Sequence, residues 1–575
     1  MTRKDQPAGN GGTPFSMVWK KAIPLIVALS LGANLAWGAE PSAADREEQN
    51  RRARQQAEER QQQAQKKDVF LQQKKKAAED TSLPEETPSF LIDELRLEGD
   101  GTGDFAWLEA LLRPYRGKRI GMQGINVIVK RLTNSLIDRG YVTTRILVPE
   151  QDLSTGTLRL VLIPGVISDI RLQDPKMQGH WQSAFPTRPG RILNLRDLEQ
   201  GLEQMKRVPS QDVDMQLVPG DKPGESAVVL AVKRTRPWKA VFSLDDSGSK
   251  PTGRLQASES FSFDNLFGVN DLFNVSFNRD AERDGQRKGT RGDSVYYSLP
   301  LGNSTFTLSS SSYRYHQTVE GINQDFLSSG ESRTTQLSLS QLLHRDQTSK
   351  THLEFGVIKK KSRSYIDDAE IEVQRKDTTA LKIGLSERRY FGKTVRDVML
   401  AAKCGVPWLG AQDDPAGGSP DSPTTRYTMW LLDVSVSTPV RIGKTEGRFS
   451  TLFSGQYTQD ILYGSEFFSI GNRYTVRGFD GEQTLAAERG WYLRNELSLP
   501  LGASGNEAYV GLDYGRIFGP SAPLSGGKAL AGTAVGLRGG AGDLQYDLFV
   551  GWPLQKPDGF VTATPTYGFQ LIYQL

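Results

Sequence analysis

Three regimes of polarity follow one another along the chain. From residue 43 to about 79 the sequence is rich in Ala, Gln, Glu, Arg and Lys, without Pro or Gly, as in AADREEQNRRARQQAEERQQ. That composition favours a helix. Val69, Phe70 and Leu71 are its only large apolar residues, too few for a stripe that would seat it on a core. A polar helix is therefore expected within residues 39–82, standing in solvent or filling a wet cavity, followed by a stiff linker, LPEETP, at 83–88.

From Phe90 the pattern changes to two units of the same order, 89–164 and 165–235. In the first, FLIDELRLEG leads into a helix around Phe105–Leu112 and then into GINVIVKRLTNSLIDRG. There Ile125, Ile128, Val129, Leu132 and Leu136 fall at helical spacing, with Gly140 as C-cap. The strands YVTTRILVPE and GTLRLVLIPG complete it. In the second, GVISDIRLQ, a helical LRDLEQGLEQMKRV, DVDMQLVPG and SAVVLAVKR repeat the sequence of elements. Two tandem β-α-α-β-β units constitute an internal repeat.

Beyond Arg236 the period is two. Trp491, Leu493, Leu497 and Leu499 alternate with Tyr492, Arg494, Glu496 and Ser498, and Leu353, Phe355 and Val357 with His352, Glu354 and Gly356. Tyr567, Phe569, Leu571, Tyr573 and Leu575 share one face of the last segment. About sixteen such segments, separated by Gly, Asn, Asp and Ser clusters, carry the pattern of a transmembrane β-barrel over 236–575. A soluble sandwich also alternates. Aromatics at strand ends (Trp238, Tyr313, Tyr390, Trp408, Trp430, Trp552, Tyr573), charge on the other face and an export signal argue for the barrel.

That signal lies in residues 1–38: Lys20 and Lys21 precede AIPLIVALSLGANLAWG, which ends in small residues at Ala36 and Gly38. Composition adds exclusions. The 575 residues carry a net charge of only +4, too little to argue for nucleic acid. Past residue 40 no run is long and apolar enough for a membrane-spanning helix. A single Cys404 permits no internal disulfide.

One long stretch breaks the alternation, about 458–489, and it contains VRGF, Val476, Arg477, Gly478 and Phe479. Loops of that length in a compact architecture are usually functional or disordered. Two strands further on, YVGLDYG places Tyr509, Gly511, Asp513 and Gly515 on the lumen side. A carboxylate on that wall needs a partner. Arg477, on a loop folding inward between the small Gly511 and Gly515, is one; a wall arginine such as Arg494 is the other.

VRGF, GLDYG, the tandem units with PGVISDIRL and VVLAVKR, and the sixteen-segment pattern together resemble the two-partner secretion transporters of the Omp85 superfamily. The resemblance spans essentially the whole mature chain. It implies a Gram-negative outer-membrane location, two periplasmic POTRA domains, a plug helix in the resting barrel at 39–82, and pairing of Arg477 with Asp513. It also implies a large secreted β-helical exoprotein as partner (a haemolysin, adhesin or contact-dependent inhibition toxin), contact with outer-membrane lipid, and a monomer. The chain ends in Leu575, where such barrels usually end in Phe.

The expected mechanism is strand addition by an unfolded exported chain to exposed POTRA edges, bordered by RILVPE and DVDMQLV. No phosphate loop is present, GDGTGD at 99–104 lacking the Lys. His180, His316, His344 and His352 show no metal spacing, no nucleophile elbow occurs, and no cofactor is expected. An assembly factor of the same superfamily is the alternative, set apart by carrying more POTRA units and no plug.

Overall fold

The computed structural model describes residues 42–65, 68–71, 82–175, 180–282, 284, 285, 287–415, 417, 419 and 421–575. The expected export signal at 1–38 lies outside them. The polar segment forms a helix, α1, over Ala43–Gln65. Ser42 starts it as a reciprocal cap, its hydroxyl accepting from the Asp45 amide at 3.1 Å and its own amide donating to the Asp45 carboxylate. The expectation of one helix to about residue 79 needs correcting, because Asp68–Leu71 is irregular. The amides of Val69 and Leu71 are taken by glutamate side chains of another module, so they are not available to a helical ladder.

The first repeat unit packs a three-stranded sheet, Glu94–Glu98, Thr157–Ile163 and Arg145–Leu147 in spatial order, against helices α2 (Leu108–Leu112) and α3 (Met122–Asp138). Ile125, Ile128, Leu132 and Leu136 of α3 bury one face against Leu158, Leu160 and Leu162. FLIDELRLEG divides at Asp93, and Phe90–Ile92 pairs separately with Lys118–Ile120. The 83–88 linker is anchored: Glu86 accepts the backbone N–H groups of Gly121, Gln123 and Gly124 at 2.7–2.9 Å, at the start of α3.

The second unit orders Val166–Leu172, Glu225–Arg234 and Gln211–Pro219 in its sheet, with one helix, α4 (Leu195–Lys206), among the described residues. The other helix of the β-α-α-β-β order is replaced there by a turn at Trp181–Phe185, which fills the same core with two aromatic rings in edge contact. Asn194 caps α4 and reaches back to the Arg139 carbonyl at the end of α3, joining the two units. Gly140 makes that junction possible: its φ is +95° and a Cβ would lie 2.4 Å from the Asn194 side-chain oxygen.

Sixteen full strands, from Trp238–Asp245 to Thr566–Gln574, form a closed antiparallel barrel among the described residues, with a two-residue strand, Ala369–Glu370, folded back on one of them. Closure pairs Gln570↔Asp245 through Gln574↔Val241. The alternation has its expected sense: Val510 and Leu512 are 45% and 57% exposed on the outer wall, whereas Asp513 is 1% exposed on the inner one. Among the described residues no helix is long and apolar enough to cross a membrane. The strands cross instead, each hydrogen-bonded to a neighbour on both sides round the ring.

Both helix α4 and the polypeptide after it press on one rim of the barrel. Gln204 donates to Thr305 at 3.1 Å, Arg207 to Ser298 at 2.6 Å, and the Ser210 amide to Asp264 at 2.7 Å. The stretch between Thr458 and Arg489 folds into the lumen. It is not without regular structure, since Phe468–Ile470 pairs with Leu485–Ala487. Three-residue strands are too short to display a period.

Candidate functional site

One guanidinium of the inward loop is tied closely to the barrel wall. Arg477 Nε and Nη2 donate to Asp513 Oδ2 and Oδ1 at 2.7 and 2.8 Å, and the Arg477 amide donates to Oδ2 at 3.0 Å. Two further N–H groups go to Glu496 Oε2 at 2.5 Å and the Asn495 carbonyl at 2.9 Å. Arg477 is only 5% exposed. Arg494, the other candidate, stands 3.9 Å from Asp513 and donates to the Tyr474 carbonyl of the loop at 2.7 Å. The paired arginine is the loop's, while the wall arginine holds the same loop by its backbone.

Small residues make the approach possible. A Cβ on Gly511 would lie 2.3 Å from Arg477 Nη2, and one on Gly515 would lie 2.8 Å from Val476. Gly478 has φ +95° and faces Trp552 so closely that a Cβ would sit 2.4 Å from that carbonyl. Val476 is fully buried, and Phe479 meets Phe560 edge-on at 5.6 Å. Sequence reasoning missed Glu496, Gly532 and Gly551. A Cβ on Gly532 would lie 1.9 Å from the Arg477 carbonyl, and one on Gly551 would lie 2.9 Å from Gly478. The phase of Glu496 toward the lumen was visible; the glycines needed the strand register.

Helix α1 lies in the same lumen, gripped by polar contacts on several sides. Glu47 accepts from Ser249, Thr252 and Tyr313 at 2.8–2.9 Å. Glu48 pairs with Lys360 at 2.9 Å, Arg54 with Asp245 at 3.2 Å, and Arg60 with Asp433 at 2.9 Å. The inward loop adds contacts of its own: Gln49 donates to the Gly464 carbonyl at 2.8 Å, Arg52 approaches Glu466 at 3.4 Å, and Asn472 donates to Asn50 at 3.2 Å. No apolar face is involved. Among the described residues no group of three or more His, Cys, Asp or Glu is placed to hold a metal.

A closed sixteen-strand barrel bearing two periplasmic domains, with a polar helix and a tethered loop in its lumen, defines an outer-membrane pore of the secretion type. The family described as haemolysin secretion/activation protein ShlB/FhaC/HecB matches residues 224–539, the ShlB-type POTRA domain matches 90–165, and a second POTRA domain matches 166–219. Outer membrane transporter CdiB-2 of Burkholderia pseudomallei is 45% identical over 514 residues, 86% of this chain and 87% of that one. Hemolysin transporter protein ShlB of Serratia marcescens is 30% identical over 446 residues, 76% of this chain and 78% of that one. The solved structure of CdiB from Escherichia coli superposes with a TM-score of 0.84 at 29% identity, covering 93% of this chain and all of that one. The chain belongs to the ShlB/FhaC/HecB family of two-partner secretion transporters in the outer membrane.

Proposed function

We propose that the chain exports one large β-helical exoprotein, of the contact-dependent inhibition class that the name of its 45% identical relative suggests. In this reading residues 1–38 direct export, 39–82 carry the plug, 83–88 link it to POTRA domains at 89–164 and 165–235, and 236–575 form a monomeric pore set in outer-membrane lipid. The unfolded cargo adds a strand to an open sheet edge. Arg145–Leu147 and Gln211–Pro219 are both outer strands of their sheets, and Leu147 is an exposed apolar residue beside such an edge. Export needs α1 out of the lumen and the Arg477 loop shifted. Transport, not catalysis, is the proposed activity, with folding of the cargo outside drawing it forward in place of nucleotide hydrolysis.

The observation that carries this reading is the lumen itself, filled by a helix without an apolar face and a loop held by Arg477 and Asp513. The test compares surface and outer-membrane protein profiles with and without the gene. Loss of one very large exported protein, other barrels unchanged, is the expected result; a general fall in outer-membrane barrels would favour an assembly factor instead.

A further inference from the structure

Beyond the end of α1, Asp68–Leu71 passes between α4 of the second POTRA domain and the barrel rim, and its contacts are those of a bound peptide. The Leu71 amide donates to Glu199 Oε1 at 2.8 Å and the Val69 amide to Glu203 Oε2 at 3.4 Å, while the Val69 carbonyl accepts from Arg345. Amides two residues apart, read from one side, are how an extended segment presents its backbone. Two side chains are read as well. The Asp68 carboxylate is held by Lys350 and Tyr390, with Arg388 at 3.6 Å. Phe70 meets the Tyr390 ring edge-on at 5.2 Å, and the Arg345 guanidinium stands 5.6 Å from its centre.

The cleft carries ion pairs of its own beside those it makes with its occupant. Arg345 pairs with Glu203 at 2.9 Å and with Glu199 at 3.4 Å, and Lys350 pairs with Glu203 at 2.6 Å. With the segment in place Arg345 and Glu199 are 2% and 0% exposed, and the pairs between them are made within the cleft walls. Its walls come from two modules, α4 on one side and the strands Asp325–Arg345, Ser349–Ile366 and Lys376–Phe391 on the other. It therefore lies where the POTRA domains meet the pore, on the route an arriving chain takes.

We propose that this cleft is a peptide-binding site for an extended segment with a carboxylate two residues before an aromatic, that Asp68–Leu71 is its resident autoinhibitory occupant, and that a segment of the exported chain with this chemistry displaces it. This rests on the reading of the chain as an exporter. Displacement frees the chain that leads into α1, so cargo arrival at the mouth and plug release become one event. The resident peptide is tethered, and a tether of this length acts as a millimolar-range local concentration, so a competitor succeeds once the POTRA edges have raised its own local concentration.

The test uses the purified full-length protein in detergent and a fluorescent peptide KKDVFLQQ, the sequence of residues 66–73. In the double variant Asp68→Ala, Phe70→Ala the resident side chains are gone, and the free peptide is expected to bind at least about tenfold more tightly than to the wild type, where the tethered copy competes. Adding Lys350→Ala is expected to abolish the gain, and a peptide with Ala at both positions is expected not to bind. Equal or absent binding to the two proteins, or a gain that survives Lys350→Ala, overturns the proposal, provided heat-modifiable gel mobility shows the barrel folded in each. Binding is measured without secretion. Its failure leaves the exporter reading intact, and failure of that reading in the gene-deletion profile leaves the binding result standing.

Discussion

At Arg477 four of the five N–H groups of the guanidinium are taken: Asp513 accepts two, and Glu496 and the Asn495 carbonyl one each. Such a site tolerates no partial loss. We expect Arg477→Ala or Asp513→Ala to lower secretion to about a tenth or less with the barrel still assembled, because removing one partner of a buried pair costs about 3–5 kcal/mol. Gly532→Ala is expected to do the same without touching any charge, since its Cβ would strike the Arg477 carbonyl. The check is quantitation of exported protein beside heat-modifiability of the barrel; normal export in all three variants would remove the tether from the mechanism. The need of Asp513 for a partner was legible in the sequence, but the residues alone left Arg477 and Arg494 both open, and only the resemblance to two-partner secretion transporters implied Arg477. Glu496, Gly532 and Gly551 were not singled out, since which wall residues lie beside the loop tip depends on strand register that sequence spacing does not convey.

At the scale of elements, composition foretold α1 but not where its helix yields to the irregular Asp68–Leu71, because that change is imposed by partners far along the chain. Helix α3 was legible throughout: its apolar positions, Ile125, Ile128, Leu132 and Leu136, keep one face buried. Its cap was not, since the capping carboxylate arrives from the linker, 38 residues before Gly124. Burial raises the Glu86 pKa, but the amides of Gly124, Gln123 and Gly121 outweigh it and hold the carboxyl below its ordinary value of 4.5. A folded-state pKa below the unfolded one gives stability that is complete above 4.5 and is lost as the pH falls through the folded value. Glu86→Gln is therefore expected to lower the thermal midpoint of the helical signal of the POTRA domains at neutral pH, with the difference from wild type shrinking in acid. A difference that is independent of pH would mean the charge is not what caps α3.

For the whole molecule, the period-two alternation and the tandem units made the architecture readable, because a barrel that pairs every backbone group must repeat one pattern at every strand. The arrangement in the lumen was less readable. Helix α1 binds through residues scattered over many strands, among them Tyr313, Lys360, Asp433 and Asp245, and also through the loop itself, at Gly464, Glu466 and Asn472. Plug and loop are thus one polar assembly, and the account requires that it come apart for cargo to pass. The most direct test joins them covalently. Asn50 and Asn472, whose side-chain amides meet at 3.2 Å, are replaced by cysteine in a Cys404→Ser background, bridged with a short bis-methanethiosulfonate reagent, and export is followed before and after crosslinking. The account predicts that the crosslink stops export, that reductant restores it, and that export by each single cysteine variant is unchanged by the reagent. Undiminished export with the crosslink formed would contradict it, for the helix would then never have left its place beside the loop.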